Sequence, residues 1–248
     1  ADAFDSSKLS SDNRWGHFFS TSAGWTFSNE KFFKDNIDPS IMSFGKLRLS
    51  WGQNGNVNVL SNYAYTAGIA TNGQWYQYGP TNQVTYGSMP NGIANPDLTW
   101  EKSEQIDLGL DMRFLDNRLS VGIDWYKKTT KDLLVPAPAM PESGVSTITI
   151  NAGEVENSGL EMELTWKDNI GDFKYSISGN FATLKNKATY LDPSIQRIEG
   201  ATVEGASPGA VRCYFEQGRP VWYMRGYKYA GRAEDGTAQY YKKDGSIT

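Results

Sequence analysis

A chain of 248 residues with a formal net charge of −4 and a pI near 5.2 has room for one large domain or two small ones. Its mild acidity argues against nucleic acid as a partner, because a phosphate backbone is normally met by a basic face. No stretch approaches the roughly 18 consecutive apolar residues of a membrane helix, although barrel strands alternate and escape that test.

Aromatics make up 13% of the residues, and 25 glycines with 10 prolines point to many turns. Cys213 is the only cysteine, which excludes an internal disulfide framework and a thiolate metal cluster. The opening ADAFDSSKLSSDNRW is polar and carries no apolar signal-peptide core. It reads as the start of a mature protein or as the interior of a longer one.

Taken in chain order, the first predicted strand is WGHFFSTSAGWTF (15–27). Phe19, Thr21, Ala23, Trp25 and Phe27 share one face, with Ser20, Ser22, Gly24 and Thr26 on the other. After a connection containing Asn36 and Pro39, GKLRLSWGQ (45–53) sets Leu47, Leu49 and Trp51 against Lys46, Arg48, Ser50 and Gly52. The third and fourth strands form a hairpin. Ile106, Leu108, Leu110, Met112 and Phe114 alternate with Asp107, Gly109, Asp111 and Arg113. After the polar turn Leu115-Asp116-Asn117-Arg118, Leu119, Val121, Ile123 and Trp125 alternate with Ser120, Gly122, Asp124 and Tyr126. In SGLEMELTW (158–166), Leu160, Met162, Leu164 and Trp166 oppose Glu161, Glu163 and Thr165. The turn KDNIGD leads to FKYSISGNF (173–181), where Phe173, Tyr175, Ile177 and Phe181 oppose Lys174, Ser176, Ser178 and Asn180.

These are six strands in three pairs. Short or moderate links at 28–44, 115–118 and 167–172 join the partners, and long Gly/Asn/Tyr-rich excursions at 53–104, 128–157 and after 185 join one pair to the next. Short turns at one end and long loops at the other describe an outer-membrane barrel. A soluble sandwich also alternates, with its polar face in water, but its turns recur every 8–12 residues or so. Aromatics also bracket the apolar faces, as interfacial girdles would: Trp25, Phe27, Trp51, Trp125, Trp166 and Phe173. The expected fold is all-β, an open part of an antiparallel transmembrane barrel with long extracellular loops.

Five segments carry a family resemblance: NRWGHFFSTSAGW (13–25), GKLRLSWGQNGN (45–56), NPDLTWEKSEQIDLGLD (95–111), NAGEVENSGLEMEL (151–164) and RPVWYMRGYKYAG (219–231). In order and spacing they resemble SusC-like TonB-dependent outer-membrane transporters. The resemblance implies a 22-stranded barrel closed by an amino-terminal plug, a TonB-engaging segment, and a SusD-like surface lipoprotein over the extracellular mouth. It implies no cofactor. No plug, TonB-engaging segment or closing carboxy-terminal strands are recognised here. Residues 1–248 are therefore expected to be a barrel fragment from the later-middle part of such a transporter, with about six of its membrane strands.

Two aromatic clusters are candidate substrate surfaces. NGQWYQYGPTNQVTY (72–86) sets Trp75, Tyr76, Tyr78 and Tyr86 among amides, a composition suited to stacking on sugar faces and bonding hydroxyls. A loop packed on its neighbours or on the lipoprotein would have the same composition. The resemblance places RPVWYMRGYKY (219–229) at the lumen mouth, where Trp222, Tyr223, Arg225 and Tyr227 would touch substrate, with structural packing the simpler account.

EDGTAQYYKKDGSIT is similar to acidic Ca²⁺ loops, but Lys242 and Lys243 stand where carboxylates would be wanted, so no metal is expected. His17 is the sole histidine and has no nucleophile motif beside it. Glu161 and Glu163, with Asp107, Asp111 and Asp124, read either as a glycosidase acid pair or as a hydrated lumen wall. No Gly-rich phosphate loop opens a helix.

The function implied is TonB-energised import of oligosaccharides or peptides across the outer membrane by a multi-pass barrel, without catalysis. The alternatives are a soluble all-β carbohydrate-binding module and a β-rich glycoside hydrolase. Detergent dependence separates the first from the module, and turnover dependent on Glu161 or Glu163 would identify the hydrolase.

Overall fold

The computed structural model describes residues 1–71, 75–78, 80, 83–202 and 211–247. The chain divides into two compact units, Ala1–Asn186 and Lys187–Thr248. No helix is long and apolar enough to cross a membrane among the described residues.

Six long strands dominate the first unit: β1 Ser20–Trp25, β2 Met42–Asn56, β3 Glu101–Phe114, β4 Leu119–Pro138, β5 Thr147–Ile170 and β6 Phe173–Ala182. They pair antiparallel with their sequence neighbours, in the order β1-β2-β3-β4-β5-β6. The register aligns faces as the alternation requires. One rung reads Ala23, Leu49, Leu108, Trp125 and Leu160. The adjacent rung reads Gly24, Arg48, Gly109, Asp124 and Glu161 and points the opposite way.

Strand limits differ from expectation in three places. β4 and β5 extend to Pro138 and from Thr147, so most of the expected 128–157 loop is paired strand. Side chains there are polar on both faces, as in Lys127, Lys128, Thr129 and Thr130, so alternation gives no signal although the backbone ladder continues. The first predicted strand breaks at Phe19 into Trp15–Phe18 and Ser20–Trp25. Phe27 leaves it altogether: it begins a 3₁₀ turn, Phe27–Asn29, and its ring fills the place a Cβ on Gly45 would need, 5.6 Å from the Phe33 ring. Inside the 53–104 excursion, Ile69–Ala70 pairs with Met89–Pro90, and Trp75–Tyr78 pairs with Gln83–Tyr86.

The β3–β4 turn is unusual. Leu115, Asp116 and Asn117 all have positive φ, at 54°, 54° and 67°. Arg118 N–H closes the turn on Leu115 C=O at 3.0 Å. Asp and Asn tolerate this region and suit a hairpin loop of this kind, but Leu does not. Two outside acceptors hold it: Leu115 N–H donates to Ile41 C=O at 3.0 Å and Asp116 N–H to Ser40 C=O at 3.2 Å. The β5–β6 turn is simpler, with Gly171 at φ 61° in the first central position of a two-residue loop.

The buried core of this unit lies at the long-loop end of the sheet. Leu9, Phe18, Val57, Leu60, Leu98, Trp100 and Leu134 pack together there, with the Phe18 and Trp100 rings edge to face at 5.6 Å. A bulge in β4, with Asp132 at φ 56°, brings Leu134 into this cluster.

In the second unit, Ile198–Thr202, Val211–Phe215 and Tyr223–Gly226 form a three-stranded sheet, and Tyr229–Arg232 pairs with Ala238–Tyr240.

Candidate functional site: a two-faced wall and its loop end

On one face of β1–β6 the apolar side chains have no protein cover. Leu49 is 50% exposed, Leu108 44%, Leu160 41% and Ile177 66%, and Trp125 and Phe181 are likewise exposed. In β3 this band runs from Ile106 to Phe114, nine positions, which matches the roughly 9–11 residues of a tilted membrane strand. Charge returns to the same face at both ends of the band. At the loop end, Lys127 pairs with Glu156 at 2.8 Å and Lys131 approaches Glu104 at 3.9 Å. At the turn end, Arg118 lies 3.5 Å from Asp168.

Indoles with a bonded edge lie on this face, Trp51 beside Ile106 at the loop end and Trp25 at the end of β1. Trp51 Nε1 donates to Glu104 Oε1 at 2.7 Å, and Trp25 Nε1 donates to Glu30 Oε1 at 3.2 Å. An apolar ring body with one wet hydrogen-bonding edge is the chemistry of a membrane interface.

The opposite face is a hydrogen-bonded polar wall. Arg48 is forked onto Asp111 (Nε–Oδ2 2.7 Å, Nη2–Oδ1 3.1 Å), and its Nη2 also reaches Asp124 Oδ1 at 2.9 Å. To reach Asp124, the guanidinium passes over Gly109, which stands between them in the rung. A Cβ at Gly109 would lie 2.6 Å from Arg48 Cζ, so the bridge requires glycine there. Ser50 Oγ and Gln105 Nε2 both donate to Asp107, at 3.0 and 2.7 Å.

Two open grooves of about 490 Å³ lie on this wall. Ser20, Ser50, Gln105, Asp107 and Lys128 are among the lining of one, and Arg48, Asp124, Glu161, Glu163 and Asn180 of the other. Glu161 and Glu163 therefore sit where a hydrated wall would place them. Their cross-strand neighbours are Asp124 and Ala182 for Glu161, and Gly122 and Asn180 for Glu163.

A network that the sequence did not single out locks the loop end. Glu101 is 6% exposed; it accepts the Leu134 N–H at 2.9 Å and Asn56 Nδ2 at 2.7 Å. Asn151 Nδ2 donates to the carbonyls of Thr99 and Asp132, at 3.0 and 2.7 Å, while Asn151 Oδ1 accepts the Thr99 N–H at 2.9 Å. Asn95 adds a bond to Thr149 C=O at 2.8 Å. Polar residues at fixed places within NPDLTWE and NAGEVEN were the available signal. Their role is to satisfy backbone groups that the bulge takes out of the ladder.

Of the predicted aromatic clusters, the backbone of the first forms a hairpin, with Trp75 paired to Tyr86 and Tyr78 to Gln83. The side chains of Trp75, Tyr76, Tyr78 and Tyr86 lie outside the described residues. In the second cluster, Trp222 (φ 55°) rests over Gly200 and meets the Phe215 ring at 6.1 Å. The Tyr223 hydroxyl donates to the Glu216 carboxylate, which raises the phenol pKa above its ordinary value, and its ring lies 6.0 Å from that of Tyr214. Arg225 and Tyr227 are exposed, the Tyr227 ring lying 5.9 Å from Tyr240. Tyr223 is half-buried, whereas Trp222, Arg225 and Tyr227 are exposed. The carboxylates of Asp235 and Asp244 are engaged in their own turns, accepting the N–H of Thr237 and of Ser246, each at 2.9 Å.

Comparison with known proteins agrees with this geometry. The family model described as TonB dependent receptor-like, beta-barrel, matches residues 2–248. The chain is 36% identical over 189 residues to the TonB-dependent receptor SusC of Bacteroides thetaiotaomicron, covering 75% of this chain and 18% of that protein. It is 33% identical over 236 residues to the TonB-dependent receptor P3 of Formosa agariphila, covering 93% and 22%. Among solved structures, the RagAB peptide transporter superposes with a TM-score of 0.76 at 25% identity, over 98% of this chain and 25% of the other. The chain thus spans about a fifth of the length of these curated relatives. With an apolar band on one face, a polar wall on the other and a family match along its whole length, the chain belongs to the TonB-dependent receptor-like β-barrel family of the outer membrane.

Proposed function

We propose that this chain is a length of wall, with its loop end, from a multi-pass outer-membrane barrel that imports oligosaccharides or peptides by TonB-delivered energy, together with a SusD-like surface lipoprotein. The observation that carries the reading is the two-faced sheet. A nine-position apolar band on β3, closed at both ends by ion pairs, faces lipid. The Arg48–Asp111–Asp124 wall faces a hydrated lumen. The relatives add direction, one being SusC and another a peptide transporter.

In this reading the plug, the TonB-engaging segment and the remaining strands belong to parts of the transporter beyond residues 1–248. Substrate is captured at the mouth, where Trp75, Tyr76, Tyr78, Tyr86, Trp222, Tyr223, Arg225 and Tyr227 are the contact residues proposed. The wall supplies fixed hydrogen-bonding groups to water and to substrate in transit, and no bond in the substrate is broken.

The test is uptake of labelled oligosaccharides and peptides by cells carrying the full-length protein and its lipoprotein, with and without a functional TonB complex. TonB-dependent accumulation of one substrate class is expected. Accumulation indifferent to TonB, or recovery of the full-length protein in the soluble fraction, would overturn the reading.

A further inference from the structure

The second unit carries a polar surface of its own. In its three-stranded sheet, Glu199 is opposite Tyr214, Tyr214 opposite Tyr223, and Arg212 opposite Arg225. Period-two geometry gives all five side chains the same face. Two more arginines join them: the Arg197 guanidinium lies 4.8 Å from the Tyr214 ring centroid and that of Arg219 lies 5.9 Å from Tyr223. Guanidinium, ring, ring and guanidinium make a continuous row. A guanidinium held against a ring keeps its in-plane N–H groups free for oxygen acceptors and has little freedom left to lose.

The charges do not balance. Glu199 accounts for Arg212 at 2.6 Å and Arg197 at 3.6 Å, and Glu216 is engaged by the Tyr223 hydroxyl. Among the described residues, Arg219 and Arg225 have no ion-pair partner. Among the described residues, four arginines against two glutamates leave an excess of two positive charges on this face, in a chain whose net charge is −4. Arg225 stands directly opposite Arg212 across the strands, and the charge Glu199 meets is that of Arg212, so Arg225 gains from an anion of its own.

We infer that this face is a capture subsite for an acidic oligosaccharide, whose uronate carboxylates are held by Arg219 and Arg225. The inference rests on the importer reading and narrows its substrate class. A stiff oligouronate presents one carboxylate per ring and surrenders less conformational freedom than a flexible acidic peptide. Tyr227 and Tyr229, 74% and 56% exposed, follow Arg225 in the chain and offer flat ring surfaces to pyranose faces.

The experiment is calorimetric titration of the full-length transporter, in detergent with its lipoprotein, with three probes: an oligogalacturonate, its methyl-esterified neutral counterpart, and a glutamate-rich peptide. The oligogalacturonate should bind about tenfold or more tighter than its ester, and Arg219→Ala with Arg225→Ala should remove that preference. Its affinity in the unaltered protein should also fall as salt is raised from about 0.05 to about 0.5 M, a readout independent of any variant's folding. Equal binding of acid and ester, salt-independent binding, or tighter binding of the peptide would overturn the inference. TonB-dependent uptake of a neutral sugar without acid preference would sink the subsite and leave the importer standing. Absence of energised uptake of any probe would instead sink the importer reading.

Discussion

Within the same strands, the membrane-length stretch and the loop end solve the burial problem in opposite ways. From Ile106 to Phe114 and from Leu119 to Trp125, the large apolar side chains point away from the protein, and the groups bonded to one another are the polar ones, Arg48, Asp111 and Asp124. Just before β3 and further along β4 the order inverts: Leu98, Trp100 and Leu134 are buried together with Leu9 and Phe18. The ladder is regular in the first region and bulged in the second, and the two surfaces also meet different solvents. Lipid removes the reason to bury an apolar face, whereas water restores it.

The comparison is broken most severely at the loop-end core. Trp100→Ala, which removes a ring packed edge-on to Phe18, should cost about 3–5 kcal/mol. Loss of loop-end hydrogen-exchange protection, with strands still inserted, is the expected result. Unchanged protection would mean that this cluster is not a core.

The next largest effect concerns facing. Ile123→Arg puts a cation on the apolar face and should lower insertion by about 2–4 kcal/mol, while Asp124→Arg, one residue on, places its charge on the hydrated wall. Outer-membrane yields of the full-length barrel measure the difference, and equal yields would contradict the assignment of faces.

Gly109→Ala is subtler. Its methyl group would displace the Arg48 guanidinium from Asp124. The three charged side chains are 34–40% exposed, so the loss should be no more than about 1 kcal/mol after allowance for solvent screening. In an Arg48→Met background, where only the Asp124 carboxylate has to move, the same change should cost less. A double-mutant cycle with no coupling would remove the bridge from the account.

The smallest effect is a pH dependence of the turns. Asp192, Asp235 and Asp244 have carboxylate pKa values below the usual range, lowered by hydroxyl and backbone N–H donors from Ser194, Thr237 and Ser246. A depressed folded-state pKa gives stability that is present above the unfolded value and is lost as pH falls through the folded one. Amide protection in these turns should therefore be flat above about pH 5 and decline only in more acidic solution. A midpoint near neutrality would contradict the assignment.

Alternation made the faces readable because lipid and lumen impose contrasting chemistry on successive residues: Leu108 and Asp107 could not exchange places. The strand ends were not readable. Above the band Lys127, Lys128, Thr129 and Thr130 present polar groups to both sides, so the period disappears while the pairing persists. Phe27 continued the alternation but left the strand, its ring taking the space over Gly45 of β2, a contact no alternation shows. Gly109 could not be interpreted until register placed it between Arg48 and Asp124. The second unit's arginine row has the same origin: Arg197 and Arg212 come from separate segments, and only strand pairing and ring contact join them to the Arg219, Tyr223 and Arg225 already visible within RPVWYMRGYKY.

The left-handed run at Leu115, Asp116 and Asn117 has a bearing on the order in which the sheet assembles. A turn that local preference resists at Leu115, and whose Leu115 and Asp116 N–H groups donate to the carbonyls of Ile41 and Ser40, draws part of its support from outside its own hairpin. Its acceptors become available only when the chain leading into β2 is already in place. The β3–β4 pair is then a templated event, zipped onto an existing β2 edge. Sequential pairing with near neighbours keeps each loop closure short. It also gives the growing sheet a direction, from β2 toward β6, set by one tight turn.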